Sequence, residues 1–182
     1  MHSEKNPWTR QSSRFIYENP WISLREDQVV KPSGGQGIYG VVSFKNYAIG
    51  IIPVDDQGYT WLIGQYRYTL DLYSWEIPMG GGLLDHDPLD SARRELKEET
   101  GLIARKWQKI LTLHTSNSVT DEVAFVYLAE DLEQKAAEFE DTEVLQVKKV
   151  LLAEAVRMAS NSEITDAISV AGLLALDRIR SA

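Results

Sequence analysis

The stretch 74-SWEIPMGGGLLDHDPLDSARRELKEETGL-102 constrains the fold most, because it spells a strand, a glycine run and a helix marked at both ends. Residues 74–79 read as a buried strand running into Gly80, Gly81 and Gly82. Asp87 before Pro88 marks a helix start: a capping carboxylate, then a proline where no amide hydrogen is missed. Leu89, Ala92 and Leu96 recur at three and four residues and form one apolar stripe, and Gly101 supplies the stop. The spacing predicts a helix over 88–100 with an apolar face and an acidic face, the glutamates projecting away from the core. On that acidic face Glu95 lies three residues from Glu98 and four from Glu99. Like charges so placed destabilise a helix by roughly 0.2–0.5 kcal/mol per pair. Two readings are open. The face is solvated, with Arg93, Arg94 and Lys97 offsetting the repulsion, or a cation sits there. Carboxylates are hard oxygen ligands suited to Mg²⁺ or Mn²⁺. A glycine lets a backbone carbonyl near Met79 or Gly80 approach the same ion.

Around this unit, residues 14–30 suggest short strands about an Asn-Pro turn, and 32-PSGGQG-37 reads as a loop. Strands are expected at 38–45, 47–54 and 59–68, with a turn at 55-DDQG-58. Later strands are expected at 107–115, 123–130 and 144–152, and helices at 153–160 and 165–180. This order implies an α/β sandwich around a mixed sheet. The division expected is an amino-terminal β section over 1–45, belonging to the same folded unit, and a main domain over 46–182.

Composition narrows the function classes. A net charge of −8 argues against a nucleic-acid partner, because phosphates repel an acidic surface. Without cysteine the chain has no disulfides and no thiolate metal sites, which fits a cytoplasmic location. No apolar run is long enough to span a membrane, and residues 1–14 lack the apolar core of a signal peptide.

The order of residues in 80–102 resembles the Nudix box, Gly-x5-Glu-x7-Arg-Glu-aliphatic-x-Glu-Glu-x-Gly-aliphatic. Gly80, Arg94, Glu95, Leu96, Glu98, Glu99, Gly101 and Leu102 fall on it in register; His86, between Asp85 and Asp87, stands where the family has its first glutamate. The run 65-QYRYTLDLYSWEIPMGG-81 and the carboxy-terminal 143–176 are similar to the ADP-ribose pyrophosphatase and nucleoside-diphosphate-sugar hydrolase branch. In place of that branch's Ser-Pro-Gly loop stands 115-TSNSVTDE-122, which leaves diphosphate sugars other than ADP-ribose open.

The resemblance implies a Nudix α/β/α sandwich around a mixed β-sheet, with an amino-terminal β-rich section that forms a homodimer. It implies Mg²⁺-dependent hydrolysis of a nucleoside diphosphate sugar, the ion held by Glu95, Glu98 and Glu99 with the Met79 carbonyl nearby. Arg94 orients the carboxylates, Arg67 contacts a phosphate, and Glu76 is a further carboxylate of the inner site. An ordinary ion pair is the competing reading of Arg67, and a paired buried charge that of Glu76. The general base is expected from Glu140, Asp141 or Glu143, with Glu98 a catalytic candidate on the helix, and Trp21 is the candidate for stacking on the nucleobase. Left open beside this are a nucleoside triphosphate or dinucleoside polyphosphate hydrolase and a non-catalytic domain that senses a nucleotide sugar.

Overall fold

The computed structural model describes residues 5–135 and 145–182. Its elements run β1 (Thr9–Glu18), β2 (Ile22–Val30), β3 (Gln36–Phe44), β4 (Asn46–Pro53), β5 (Tyr59–Arg67), β6 (Leu72–Glu76) and β7 (Met79–Leu83). Then follow α1 (Pro88–Thr100), β8 (Leu102–His114), β9 (Val123–Gln134), β10 (Gln146–Leu151), α2 (Leu152–Ser160) and α3 (Ala167–Arg180). The chain divides into two compact units, one of residues 1–46 with 116–122 and one of 47–115 with 123–182.

In the smaller unit β1, β2 and β3 form an antiparallel sheet. Asn19 makes the first turn: its side-chain oxygen accepts from the amides of Trp21 and Ile22, an Asx turn. The 116–122 loop lies along β3, where the Val42 amide donates to the Val119 carbonyl at 2.9 Å and the Tyr39 hydroxyl to the Ser118 carbonyl at 2.8 Å. Asp27 and Val29 are the only buried residues described in this unit, so the sheet has no apolar core of its own.

The larger unit contains a four-stranded sheet of order β7-β4-β9-β8, with β4 and β9 parallel and β8 antiparallel to β9. Successive side chains of a strand point to opposite faces, and this decides the layering. Ile49 and Ile51 of β4, with Tyr127 and Ala129 of β9, pack with Ala92 and Leu96 of α1. Ile52, Val54, Val126 and Leu128 face the other way, onto Met158 of α2 and Leu173 and Leu176 of α3. The sheet therefore lies between α1 and the α2–α3 pair, a mixed α/β/α sandwich. A separate antiparallel sheet, β10-β5-β6, completes the unit.

Several boundaries differ from the sequence reading. The strand expected over 74–79 breaks at Ile77–Pro78, since Pro78 has no amide hydrogen to give a ladder, and Gly80–Gly82 belong to β7. Strand β8 begins at Leu102, paired with Gln134, and not at residue 107. Arg105 and Lys106 separate the apolar Leu102, Ile103 and Ala104 from Trp107 and break the alternation that would reveal one continuous strand. The last helix begins at Ala167, capped by Asp166, whose carboxylate accepts from the Ser169 amide at 2.7 Å.

Candidate active site

Helix α1 carries most of the site. Asp87 caps it by accepting from the Leu89 amide at 2.9 Å, and Gly101 ends it with φ 70°, its amide donating to the Lys97 carbonyl at 2.8 Å. Ala92 and Leu96 are fully buried and hold the helix on the sheet. The glutamates do not share one environment, as the sequence reading expected. Glu99 is seven residues beyond Ala92 and so returns to the core-facing side, where it is only 5% exposed. Its carboxylate accepts from the Met79 amide at 3.0 Å, which ties α1 to the start of β7.

Glu95 and Glu98 lie further out and share Arg94. The guanidinium donates to Glu98 at 2.6 Å, to Glu95, and at 3.0 Å to the Gly81 carbonyl. One arginine thus joins two carboxylates to the glycine strand, and its planar fork suits that geometry. The pKa of Arg94 is held above its ordinary value; burial works against this and is outweighed by the Glu95 and Glu98 charges and their hydrogen bonds. The closeness of Glu95 to β7 explains Gly80. A Cβ there would stand 2.0–2.3 Å from the Glu95 carboxyl atoms, far inside contact distance.

Arg67 ends β5 and Glu76 ends β6, and the two strands pair antiparallel. Arg67 Nε donates to Glu76 Oε1 at 2.9 Å, and Nη2 donates to Oε2. The ion pair considered for Arg67 and the buried pair considered for Glu76 are therefore the same bidentate pair. The Glu76 carboxylate is almost fully buried, while the Arg67 side chain keeps 38% exposure. The Arg67 pKa is raised, first by its hydrogen bond to Glu76, against burial, with the charges of Glu76, Asp166 and Glu99 adding.

The structure thus gathers Arg67, Glu76, Met79, Arg94, Glu95, Glu98 and Glu99 on facing elements of one unit. Trp21 belongs to the other unit, where it is 67% exposed in the turn after β1. Glu140, Asp141 and Glu143 lie outside the described residues. His86 sits on the exposed loop before α1, its Nδ1 2.8 Å from Asp85 Oδ1, and that hydrogen bond lowers the Asp85 pKa. Ser169 of α3 also reaches this region and was missed in the sequence; its Oγ accepts from the Ile77 amide at 3.0 Å. The one available signal was the Asp-x-x-Ser spacing of Asp166 and Ser169, which marks a helix cap.

The donor chemistry fits a divalent cation that prefers oxygen: carboxylates and a carbonyl-bearing strand, with no thiol. Among the described residues no three acidic or histidine side chains already converge as a ligand cluster. Arg94 and the Met79 amide occupy the carboxylates. The same described residues contain no helix long and apolar enough to cross a membrane.

Comparison with known proteins agrees with this geometry. The nucleoside diphosphate sugar hydrolase N-terminal domain matches residues 8–42, and the NUDIX domain matches residues 45–169. An ADP-ribose pyrophosphatase of Mycobacterium tuberculosis is 36% identical over 174 residues, covering 92% of this chain and 82% of that protein. An ADP-ribose pyrophosphatase of Bacillus subtilis is 32% identical over 154 residues, covering 84% and 83%. In fold, a crystal structure of an ADP compounds hydrolase superposes with a TM-score of 0.85 over 97% of this chain and 95% of its own, at 19% identity. With the arginine-linked glutamates, the glycine strand and both domain matches in agreement, the chain belongs to the Nudix hydrolase family.

Proposed function

We propose that the chain hydrolyses the phosphoanhydride of nucleoside diphosphate sugars, ADP-ribose among them, giving a nucleoside monophosphate and a sugar phosphate. The observation that carries this is the Arg94-linked pair Glu95 and Glu98 lying against β7, with Glu99 fixed to the first residue of that strand. Two relatives that match along most of the chain, at 36% and 32% identity, are ADP-ribose pyrophosphatases, which supports the substrate class. In the reaction a water oxygen adds to one phosphorus and the bridging oxygen leaves on the other, so one anhydride bond yields two phosphate monoesters.

Glu95, Glu98 and Glu99, with the Met79 carbonyl, would hold Mg²⁺. When bound, the ion would supply Lewis-acid charge neutralisation at the diphosphate. Arg94 keeps Glu95 and Glu98 oriented between turnovers. Arg67 uses Nε and Nη2 on Glu76, which leaves Nη1 as the group offered to a phosphate oxygen. Glu98 is the more exposed of the Arg94 partners, at 25% against 12% for Glu95, and is the base candidate on the helix beside Glu140 and Glu143. Substrate-panel assays with ADP-ribose, GDP-mannose, UDP-glucose and dATP in Mg²⁺ test the reading. Monophosphate release from a diphosphate sugar, abolished by EDTA, is the expected result. Cleavage of dATP with none of the diphosphate sugars touched would refute it.

The amino-terminal section is proposed as the homodimer element, with Trp21 stacking on the nucleobase and the enzyme working in the cytoplasm. Every residue of β1 is exposed, including Phe15, Ile16 and Tyr17, and three strands without a core of their own need further apolar cover. Light scattering that gives a monomer at micromolar concentration would remove the dimer.

A further inference from the structure

We propose that Ser169, in the first turn of α3, is a positioning residue for the active site: its hydroxyl fixes the link between β6 and β7 from which the site's strand-borne groups hang. Ile77 and Pro78 belong to neither strand, so no sheet ladder holds them. Three polar groups in and next to the link are instead met by three different elements. The Ile77 amide donates to Ser169 Oγ at 3.0 Å, the Pro78 carbonyl accepts from the Ile51 amide at 2.8 Å, and the Met79 amide donates to Glu99 at 3.0 Å. Glu76, one residue before the link, is held by Arg67.

Ser169 is not a free hydroxyl that happens to lie close by. It is fully buried, and its own proton is committed to Asp166 Oδ2 at 2.7 Å, which leaves the oxygen lone pairs facing Ile77. The same Asp166 carboxylate caps α3 through the Ser169 amide, so the hydroxyl is oriented by the helix end itself. Asp166 also acts electrostatically on Arg67. The amino end of α3 therefore reaches both sides of the link, by hydrogen bond at Ile77 and by charge at Arg67. Ile77 and Ile168, the neighbours in sequence of these polar groups, pack in one buried cluster. Misplacing a catalytic group by an ångström costs about a hundredfold in rate, and removing this one bond would leave the Ile77 amide, between Glu76 and Pro78, without its partner on α3.

Ser169→Ala and Ser169→Thr test the proposal, read by amide hydrogen exchange over residues 76–80 and by steady-state kinetics on ADP-ribose. Loss of the hydroxyl is expected to speed exchange at Ile77 and Met79 by about tenfold, as a local opening. It is expected to lower kcat roughly tenfold while KM stays within about twofold, because geometry at the reacting centre changes and general substrate binding does not. Threonine keeps the hydroxyl and is expected to restore both. Unchanged exchange in Ser169→Ala would overturn the proposal, as would a loss of kcat that follows Tm and is not rescued by threonine. Only the kinetic half rests on the pyrophosphatase reading. A wild-type protein inactive on every diphosphate sugar would refute that reading, and the exchange data would still decide the role of Ser169.

Discussion

Replacing Gly80 by alanine puts the site geometry under direct test. The added Cβ would lie 2.0 Å from Glu95 Cδ and 2.1 and 2.3 Å from its oxygens, where ordinary contact begins near 3.4 Å. The carboxyl group must therefore retreat by more than an ångström. It cannot do so and stay on Arg94, whose other bonds go to Glu98 and the Gly81 carbonyl. In stability the loss is small. A charge-assisted hydrogen bond contributes roughly 1.5–3 kcal/mol, but the Arg94 side chain is 46% exposed and solvent screens much of that. About 1 kcal/mol remains, equivalent to some 2–4 °C in Tm for a chain of this size. In rate the loss is large, because a displacement of this size costs about a hundredfold in kcat. Monophosphate release from ADP-ribose and a thermal melt measure the two effects. Gly35→Ala is the control, since nothing lies within 4 Å of a Cβ there and its backbone is unstrained. Gly80→Ala with more than a third of wild-type kcat would show that Glu95 has no fixed place against β7.

Two further outcomes follow from the charges. Arg67→Ala is expected to lower Tm more than Glu76→Gln, because the first strands a carboxylate that is 3% exposed and the second leaves a guanidinium that can turn to water. Breaking a buried pair from its exposed side costs about 3–5 kcal/mol, and equal melting shifts for the two variants would contradict the assigned burial. Asp27 is buried, and its pKa is lowered, chiefly by the hydrogen bond from Ser13 and further by Arg25. A depressed folded-state pKa gives stability that is present above the ordinary value of 3.8 and is lost as pH falls through the folded value. Asp27→Asn is therefore expected to flatten the acid limb of stability below about pH 4 and to leave its pH dependence near neutrality unchanged. Equal acid limbs in urea titrations would refute the assignment.

What could be read from the chain alone divides along the reach of the interactions. Helix α1 was legible to the residue because its signals are local: Asp87 and Pro88 start it, Gly101 stops it, and each acts within one turn. The pairing of Arg94 with Glu98 was equally accessible, being set by helical spacing. The burial of Glu99 was in the same pattern, since Ala92, Leu96 and Glu99 fall at i, i+4 and i+7. Reading the glutamates as one charged group concealed it. The pairing of Arg67 with Glu76 needed knowledge of how β5 and β6 align, a register that sequence spacing does not fix. Ser169 was beyond reach for a stronger reason. Its partner Ile77 is 92 positions away, and serine in the first turn of a helix has a sufficient local use in capping. Nothing in 165-TDAISV-170 indicates that the oxygen is also an acceptor for another element. The arrangement has a mechanical consequence. The box supplies the charges on α1 and two ties to β7, from Glu99 and Arg94, but the link that leads into that strand is held from β4 and α3, outside the box. A chain can therefore match the box in full and still lose its site geometry through α3.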